Sequence, residues 1–364
     1  MAHRVFNFAP GPATLPVPAL KRAQGDLLDY QGTGIGILEH SHRKPSYMAV
    51  HAETKKLLRD LLEIPDGYST LFMQGGARGQ FAIVPMNLLH PGTTADYVVT
   101  GTWGEKAVAE AKLVGEAREA ANTAGDDGKH TRVPALDEIA MAKDAAYLHL
   151  TTNNTIYGTQ FFDFPDTGDV PLILDMSSDI CWQPMDVSKA DLIYAGAQKN
   201  LGIPGVTLVI IKDELIEKGR RDIPSIFQYR TIEKADSLQN TAPTFAIYMM
   251  RNVLAWMADQ GGLEEMERRN RKKAGLIYDA ISAAPDFYRC PVEEASRSVM
   301  NVVFRLPTEE LEGVFVEEAA AAELMGIKGH RSVGGMRVSL YNSMSIEGAE
   351  KLAELMGAFA KANG

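Results

Sequence analysis

One lysine lies in a stretch of small residues between two apolar segments, where it could act as a nucleophile. The stretch reads YAGAQKN over residues 194–200, and the lysine is Lys199. The flanking segments, 191–194 and 206–211, are short and rich in β-branched residues, as strands buried on both faces are. An amine among apolar walls resists protonation, so its pKa should fall, and a neutral lysine can form an imine with an aldehyde. The alternative is a lysine in a tight turn that points to solvent.

Three further side chains that could bind a flat ligand stand where predicted strands end. Asp175 closes the apolar segment 170–175, and Trp103 and Thr155 follow shortly after two other apolar segments. A carboxylate at the end of so apolar a strand needs a partner, because burying an unpaired charge is costly. A tryptophan beside glycines can stack on a planar ring. Each also has a simpler explanation: a turn cap for Asp175, core packing for Trp103 and a turn for Thr155.

A glycine-rich turn over residues 74–81, QGGARGQF, has the features of an anion site. It joins a short predicted strand, 69–73, to a helical pattern that starts near residue 79. Free backbone N–H groups and the positive end of the helix dipole meet at such a turn, and Arg78 adds a fixed charge. The Gly-Lys-Ser/Thr of a P-loop is missing, and an ordinary strand–helix turn with a surface arginine is the alternative.

Cations also cluster in two other segments. His42 and Arg43 follow a glycine-rich loop, and His330, Arg331 and Arg337 lie in a segment that is otherwise glycine-rich and apolar. A solvated turn and a surface loop are the alternatives. The formal net charge of −10 argues against bulk binding of nucleic acid, yet a local cationic cluster can still bind a small anion.

The segments that carry these residues predict an α/β fold. Strands and helices alternate between residues 69 and 211, which indicates a doubly wound, largely parallel sheet with helices on both faces. Beyond residue 211 we expect a long exposed polar excursion over 229–244, helices over 244–260 and 263–283, and an α+β C-terminal part. Ligands bind beyond the carboxyl ends of strands in such sheets. The candidates at those ends are Ala77, Arg78, Trp103, Thr155, Asp175 and Lys199.

The composition narrows the class of protein further. Two cysteines without a CxxC motif predict neither a disulfide framework nor a metal site, and they fit a reducing compartment. The N-terminus has no apolar segment of the kind that marks a signal peptide, and no apolar run reaches the roughly 18 residues of a membrane helix. We therefore expect a cytoplasmic protein that contacts neither membranes nor nucleic acid.

A lysine, a carboxylate, an aromatic ring and an anion-binding turn at one edge of a sheet are the groups that pyridoxal phosphate requires. The lysine forms an imine with the aldehyde, and the carboxylate keeps the pyridine nitrogen protonated. The aromatic ring stacks on the cofactor, and the helix N-terminus holds its phosphate. The residues alone thus predict a pyridoxal-phosphate enzyme.

Several motifs in order along nearly the whole chain resemble the phosphoserine aminotransferase family of class-V aminotransferases. They are FNF with GPA near the N-terminus, SHR at 41–43, GGARGQF at 75–81, TADY at 94–97, the Asp175 segment, YAGAQKN, NT with PT at 240–244, and KGHR with GGMR at 328–337. The combination of YAGAQKN with the GHR and GGMR motifs is highly specific to that family.

The resemblance implies the type I fold of pyridoxal-phosphate enzymes. A large αβα domain over 17–261 would contain a mixed, mostly parallel seven-stranded sheet. Residues 1–16 and 262–364 would form a smaller α+β domain. The enzyme would be a homodimer with shared active sites. It would transfer the amino group between L-glutamate and 3-phosphohydroxypyruvate in ping-pong half-reactions, giving 2-oxoglutarate and O-phospho-L-serine for serine biosynthesis. Some members also serve pyridoxine biosynthesis with a phosphohydroxythreonine.

The resemblance also implies a role for each site residue. Lys199 would hold the cofactor and move the substrate proton, Asp175 would pair with the ring nitrogen, and Trp103 would stack on the ring. The other cofactor contacts would be Thr155 with the ring oxygen, Ala77, Arg78 and Gln198 with the phosphate, and Asn240 and Thr241 from the partner chain. Arg337 would bind the substrate α-carboxylate, and His42, Arg43, His330 and Arg331 would bind its second anionic group.

Two departures and two rival functions accompany this interpretation. Many relatives have Ser at Pro10 and Glu at Asn154, so contacts made by those side chains are missing here. The first rival is another class-V enzyme, such as a cysteine desulfurase or a different small-substrate transaminase. A desulfurase needs a mobile cysteine, which neither Cys181 nor Cys290 resembles. The second rival is a cofactor-free protein that binds a phosphorylated metabolite, which would leave Lys199 and Asp175 unexplained.

Overall fold

The computed structural model describes residues 3–364 and contains thirteen strands and ten α-helices within that range, besides five short 3₁₀ helices. The strands are β1 Phe6–Asn7, β2 Tyr68–Gln74, β3 Thr94–Val99, β4 Glu116–Asn122, β5 Leu148–Thr151, β6 Asn153–Asn154, β7 Thr159–Gln160, β8 Leu172–Asp175, β9 Leu192–Gly196, β10 Val206–Lys212, β11 Asn301–Phe304, β12 Leu324–Met325 and β13 Met336–Ser339. The helices are α1 Val17–Asp26, α2 Pro45–Leu61, α3 Arg78–Leu88, α4 Thr102–Val114, α5 Asp213–Lys218, α6 Tyr229–Lys234, α7 Thr244–Asp259, α8 Gly262–Ser282, α9 Glu309–Ala321 and α10 Ile346–Asn363. None of these helices is both long and apolar enough to cross a membrane.

A seven-stranded sheet organises the larger part of the chain, in the order β2-β10-β9-β8-β5-β3-β4. Strand β10 is antiparallel to both of its neighbours, and every other adjacent pair is parallel. The other six strands therefore run in one direction and end at the same edge. The expectation of a mixed, mostly parallel seven-stranded sheet is confirmed.

The central strands form because their apolar runs are buried on both faces. All residues of β5, β8 and β9 are buried, as are six of the seven in β10. Alternate side chains enter two separate cores, one on each side of the sheet, so that Leu174 and Ile193 lie in one and Ile173 and Tyr194 in the other. Burying such a side chain contributes about 1.5–3 kcal/mol, which holds the strand ends in fixed positions.

Strand β4 was not foreseen, because its sequence does not look like a strand. EAREAAN is charged and mostly exposed, without the β-branched or alternating apolar residues that predict strands. It lies at the edge of the sheet and pairs with β3 alone. Arg118 on β4 donates two hydrogen bonds to the buried Asp96 of β3, at 2.5 and 3.0 Å. Tertiary pairing, rather than local propensity, therefore makes this strand.

The expected polar excursion over 229–244 is only partly correct. Its first part forms α6, where Tyr229 and Ile232 are buried against the sheet, and the Tyr229 hydroxyl donates to Gln80 Oε1 at 2.7 Å. Asn240 and Thr241, at its end, are exposed as predicted.

The N-terminal arm, residues 3–16, packs against the C-terminal part of the chain. Strand β1 pairs in parallel with β12, and Phe8 is fully buried in the core that α8, α9, α10, β11 and β13 share. The arm then crosses to the sheet, where the backbone N–H of Ala13 donates to the carbonyl of Gln198 at 2.9 Å. Residues 9–13 therefore lie between the C-terminal part and the loop after β9 that contains Lys199, called the lysine loop below.

Candidate active site

A cavity of about 390 Å³ opens at the edge where the parallel strands end. Its lining includes nine of the residues predicted to form the site, so the structure brings together side chains from seven separate segments. They are Ala77, Arg78, Trp103, Thr155, Asp175, Gln198, Lys199, His330 and Arg337.

Lys199 lies three residues beyond β9, in a loop whose neighbours are firmly held. Gly202 N donates to the carbonyl of Ala197 at 2.8 Å, and Asn200 Nδ2 donates to the carbonyl of Ile180 at 2.9 Å. Burial lowers the pKa of Lys199 to about 8, against the opposing attraction of two nearby carboxylates. About a tenth of the amine is then neutral at pH 7, so the chain has a usable nucleophile, as expected.

Asp175, the last residue of β8, is held through one oxygen. Its Oδ1 accepts hydrogen bonds from the backbone N–H of Ser177 at 3.0 Å and from the Ser177 hydroxyl at 2.6 Å. No side chain among residues 3–364 donates to Oδ2, which leaves that oxygen available to a ligand in the cavity. Burial raises the pKa of Asp175, while the Ser177 hydroxyl and Lys199 lower it. A cationic N–H donor at Oδ2 would compensate for the burial of this carboxylate.

Trp103, in the first turn of α4, forms one wall of the cavity. Its Nε1 donates to the hydroxyl of Thr155 at 3.1 Å, and its ring centroid lies 5.9 Å from Lys199 Nζ. The Thr155 hydroxyl still has its own proton to donate. The aromatic face and a free hydroxyl donor are therefore both present beside the lysine, as a ring with a polar substituent would require.

The start of α3 provides unpaired donors at another wall. The backbone N–H groups of Gly76, Ala77 and Arg78 have no acceptor among residues 3–364, and Arg78 is exposed. Nearby, the buried Oε1 of Gln198 has no hydrogen-bond partner in that part of the chain. Three free N–H groups at the N-terminus of an eleven-residue helix suit a phosphate group.

Arg337 is a buried cation without an anion. It lies on β13, is 7% exposed, and makes a single side-chain hydrogen bond, from Nη1 to the carbonyl of Thr155 at 3.3 Å. Its Nε is buried without a partner, and no carboxylate of residues 3–364 lies within 4 Å of it. Burial lowers the pKa of its guanidinium. A carboxylate in the cavity would supply the bidentate partner that this side chain lacks.

His330 lines the same cavity. Its Nδ1 is bonded to the hydroxyl of Ser332 at 2.7 Å, and its Nε2 has no hydrogen-bond partner among residues 3–364. Burial and the charges of Arg337 and Arg331 lower the pKa of His330. Neutralising one of these cations with a bound anion would favour protonation of the imidazole.

Five predicted site residues do not line the cavity of their own chain. Asn240 and Thr241 are exposed, and Asn240 lines a separate cavity of about 110 Å³. Arg331 is exposed beside His330. His42 is buried elsewhere and accepts a hydrogen bond from Arg43 Nε at 3.1 Å. Nine further residues line the cavity although they were not among the predicted site residues. They come from the N-terminal arm and from segments next to predicted residues, and they are Pro10, Gly11, Gly76, Phe81, Thr151, Asn153, Ile156, Ser177 and Ser178.

The two departures from the family pattern have clear positions. Pro10 lines the cavity and uses its carbonyl to accept from the Tyr341 hydroxyl at 2.8 Å. Asn154 is buried behind the cavity and donates to Thr100 Oγ1 at 2.9 Å. Asn154 Oδ1 has no partner among the described residues, and a Cβ placed on Gly101 would lie 2.4 Å from it. Asn154 therefore serves local packing, whereas Pro10 forms part of the cavity wall.

The residues fit pyridoxal phosphate. An amine with a lowered pKa, a carboxylate with a free oxygen, an aromatic wall and a helix N-terminus with unpaired donors all face one space. The thiols that a cysteine desulfurase would require are absent from it. Cys181 is buried and its pKa is raised to about 12, and burial also raises the pKa of Cys290.

Comparison with known proteins agrees with this geometry. The aminotransferase class-V family matches residues 5–352. The phosphoserine aminotransferase of Niallia circulans is 50% identical over 364 residues, all of both chains. The structure of phosphoserine aminotransferase from Bacillus circulans subsp. alkalophilus has a TM-score of 0.97 at 50% identity, over all of both chains. The pyridoxal-phosphate-bound phosphoserine aminotransferase of Trichomonas vaginalis has a TM-score of 0.91 at 34% identity, over 97% of this chain and 99% of that one.

Proposed function

The chain belongs to the class-V aminotransferases and, within them, to the phosphoserine aminotransferases, and on that premise we propose how its residues perform the reaction. The amino group passes between O-phospho-L-serine and 2-oxoglutarate, with 3-phosphohydroxypyruvate and L-glutamate as the other pair. Pyridoxal phosphate is the cofactor, and it supplies an electrophilic carbonyl carbon and a ring that accepts electrons. The observation that carries the assignment is one cavity lined by Lys199, Asp175 and the unpaired Arg337.

The cofactor is held by groups whose partners are missing from the chain itself. Asp175 Oδ2 takes the ring nitrogen and keeps a proton on it, and the Trp103 ring forms one wall. The Thr155 hydroxyl donates to the ring oxygen. The free N–H groups at Ala77 and Arg78, together with the Gln198 amide, bind the phosphate. The Asp175 oxygen and the N–H groups of Ala77 and Arg78 are left without partners by the described residues, so their roles match free groups of the structure.

Lys199 holds the cofactor and then moves the proton of the substrate. Because its pKa is near 8 rather than 10.5, the Nζ amine can take a proton from the substrate Cα and release it again near neutral pH. The Asp175 charge opposes a further fall of this pKa, so the amine remains basic enough to accept the proton.

The substrate is recognised through both of its anionic ends. Arg337 binds the α-carboxylate with two parallel hydrogen bonds, which its unpaired Nε and its Nη groups allow. His330 and Arg331 bind the second anionic group, which is the phosphate of phosphoserine or the side-chain carboxylate of glutamate. One set of cations thus serves both substrates in turn.

A second copy of the chain completes the site. Asn240 and Thr241 are exposed outside the cavity of their own chain, and Arg43 is exposed beside His42, as residues that serve a partner's cavity would be. We infer a homodimer in which Asn240 and Thr241 contact the partner's cofactor phosphate, and His42 and Arg43 contact the substrate.

Complementation tests the shared site. A chain with Lys199→Ala is inactive by itself, and we expect a chain with Asn240→Ala and Thr241→Ala to bind the cofactor poorly. Hybrid dimers of the two should recover activity, because one of their two sites keeps every residue. Activity no higher than that of the two parents together would refute a shared site.

The packing of the arm supports a division into two domains. Residues 17–261 form the large domain, and residues 1–16 join 262–364 in the small one, as the pairing of β1 with β12 and the burial of Phe8 favour. A cytoplasmic location fits the two free cysteines.

An absorbance scan of the loaded enzyme tests the assignment of substrate. Phosphoserine alone should abolish the visible band of the bound cofactor, and 2-oxoglutarate should restore it. A band that responds to another amino acid but not to phosphoserine would overturn the substrate, and a chain that acquires no band with added cofactor would overturn the role of Lys199.

A further inference from the structure

A buried tyrosine and a buried histidine lie behind Asp175, and the reaction as described leaves both unused. Tyr194 on β9 is the strand neighbour of Asp175 on β8, and Asp175 is in turn the neighbour of Thr151 on β5. His149 lies two residues before Thr151, so its side chain is on the same face of the sheet as Asp175 and Tyr194. Tyr194 is fully buried and His149 is 2% exposed.

The two side chains are bonded to each other. His149 Nε2 and the Tyr194 hydroxyl are 2.8 Å apart, and their rings lie 5.9 Å apart at an angle of 30°. The other ring nitrogen, His149 Nδ1, is buried without a partner among residues 3–364. The face of His149 packs against Tyr97, with ring centroids 4.9 Å apart. The histidine is thus fixed in position, with the tyrosine hydroxyl as its one side-chain hydrogen bond.

The charge on Asp175 and the Tyr194 hydroxyl influence each other. Burial raises the pKa of Tyr194 well above its usual value, and the charge of the nearby Asp175 raises it further. Burial also raises the pKa of Asp175, and the Tyr194 hydroxyl is one of the causes that lower it. Burial lowers the pKa of His149 to about 3, so the imidazole is neutral and carries a single N–H. The single proton can lie on either ring nitrogen; when it lies on Nε2, His149 donates to Tyr194, and the tyrosine proton is free to turn toward Asp175, its strand neighbour.

We propose that His149 and Tyr194 are positioning residues for Asp175, forming a donor chain from the imidazole through the phenol to the carboxylate. This proposal rests on the function proposed above, in which Asp175 holds the proton on the cofactor's ring nitrogen. Ser177 fixes Oδ1 of the carboxylate from the loop. In the structure the Tyr194 hydroxyl bonds His149, and in the proposed chain its proton turns to the carboxylate of its strand neighbour as a second donor from the sheet. With both in place, the carboxylate stays ionised and its free oxygen faces the cavity.

Tyr194→Phe is the principal test, since it removes only the hydroxyl and keeps the ring in the core. We expect its dissociation constant for pyridoxal phosphate, measured by titrating the cofactor-free protein, to rise about tenfold, in line with the loss of a hydrogen bond to a charged group. The pH midpoint of the bound cofactor's visible band should also move upward, because the ring nitrogen retains less positive charge.

Tyr97→Phe is the matched control. Tyr97 belongs to the same buried face, and its hydroxyl bonds that of Tyr147 at 2.6 Å rather than Asp175. It should lose a similar amount of thermal stability without a change in cofactor affinity or in the pH midpoint. Equal weakening in both variants would overturn the proposal, because the effect would then come from packing.

A double-mutant cycle tests the chain itself. His149→Phe should weaken cofactor binding in the same direction as Tyr194→Phe, but less. The double variant should be no weaker than Tyr194→Phe alone, since the histidine acts through the tyrosine. Full additivity would contradict the chain.

Asp175→Ala distinguishes a failure of the proposed role of Asp175 from a failure of the positioning role of Tyr194. If Asp175→Ala binds the cofactor as the unmodified protein does, the proposed function of Asp175 is wrong. If Asp175→Ala loses affinity while Tyr194→Phe stays within twofold of the unmodified protein, only the positioning proposal is wrong.

Discussion

Replacing Arg337 by methionine should abolish activity and yet stabilise the cofactor-free protein. Arg337 is 7% exposed, and among residues 3–364 its Nε has no partner and it forms no ion pair with a carboxylate. Methionine is unbranched and uncharged, though shorter, so the substitution removes a cation without breaking an ion pair. The two effects have opposite signs because the chain itself does not satisfy this charge.

The loss of activity can be worked from the missing contacts. Two charge-assisted hydrogen bonds to a carboxylate contribute about 1.5–3 kcal/mol each before the cost of removing water from the carboxylate. A net loss of about 3–4 kcal/mol corresponds to a fall of about 100- to 1,000-fold in kcat/KM for phosphoserine. Arg337→Lys keeps the charge but not the planar fork, so it should recover only part of this loss.

The gain in stability follows from the unpaired Nε. An unsatisfied buried donor costs about 1–3 kcal/mol, so removing it should raise the melting temperature by about 1–4 °C in a chain of this size. Arg305 is the matched comparison, because it lies in the same region with its partners present, Glu312 at 2.6 Å and the carbonyl of Val333 at 2.8 Å. Arg305→Met should lower the melting temperature, since it leaves the Glu312 carboxylate without its partner.

Two measurements test the two predicted effects of Arg337→Met. Single-turnover absorbance after mixing the loaded enzyme with phosphoserine gives the activity, and scanning calorimetry of the cofactor-free proteins gives the stability. If Arg337→Met reacts within threefold of the unmodified rate, Arg337 does not bind the α-carboxylate. If it instead melts several degrees lower, the arginine supports the fold and the reasoning from its unpaired Nε is wrong.

Three other predictions concern the lysine loop and the thiols. The rate at which the cofactor-free protein captures pyridoxal phosphate should rise with pH to a half-maximum near 8, since only the neutral amine of Lys199 reacts; a rise that continues to pH 10 would contradict the lowered pKa. Gly196→Ala should weaken cofactor binding, because its Cβ would lie 2.7 Å from Gln198 Oε1, whereas Gly313→Ala, with open space around it, should not; equal affinities measured by titration would refute this. Iodoacetamide at pH 8 should leave Cys181 unmodified by mass spectrometry and the activity unchanged, because its pKa of about 12 keeps the thiol protonated; rapid alkylation would show that the cysteine is accessible.

The convergence of the site could be predicted from sequence because parallel strands fix where their ends lie. Asp175 and Lys199 are separated by one strand, so both had to fall at the same edge once 170–175 and 191–194 were recognised as buried strands. The local pattern was sufficient there, since continuous β-branched runs have few other uses. The lowered pKa of Lys199 followed from the same pattern of apolar neighbours.

The features of the fold and site that sequence analysis missed depend on tertiary contacts, which no local sequence pattern encodes. Strand β4 forms only because β3 offers an edge and Asp96 offers a partner for Arg118. The hydrogen bond from Ser177 to Asp175 was visible only as an adjacent serine. The exposed positions of Asn240 and Arg43 also have no explanation within one chain, whereas the proposed dimer would give both residues a role.

The electrostatics of the site couple substrate binding to proton transfer. The positive charge of Arg337 is one of the causes that lower the pKa of Lys199, while the charges of Asp175 and Asp179 raise it. A carboxylate bound at Arg337 cancels that positive contribution, so the pKa of Lys199 rises when substrate is present. Lys199 is thus more often neutral, and ready to react with the cofactor, while the site is empty, and it becomes a stronger base once an anion occupies Arg337. If Arg337 binds the α-carboxylate and Lys199 takes the neighbouring proton, as proposed, then an unpaired buried arginine that costs stability in the free protein links substrate recognition to the basicity of the lysine.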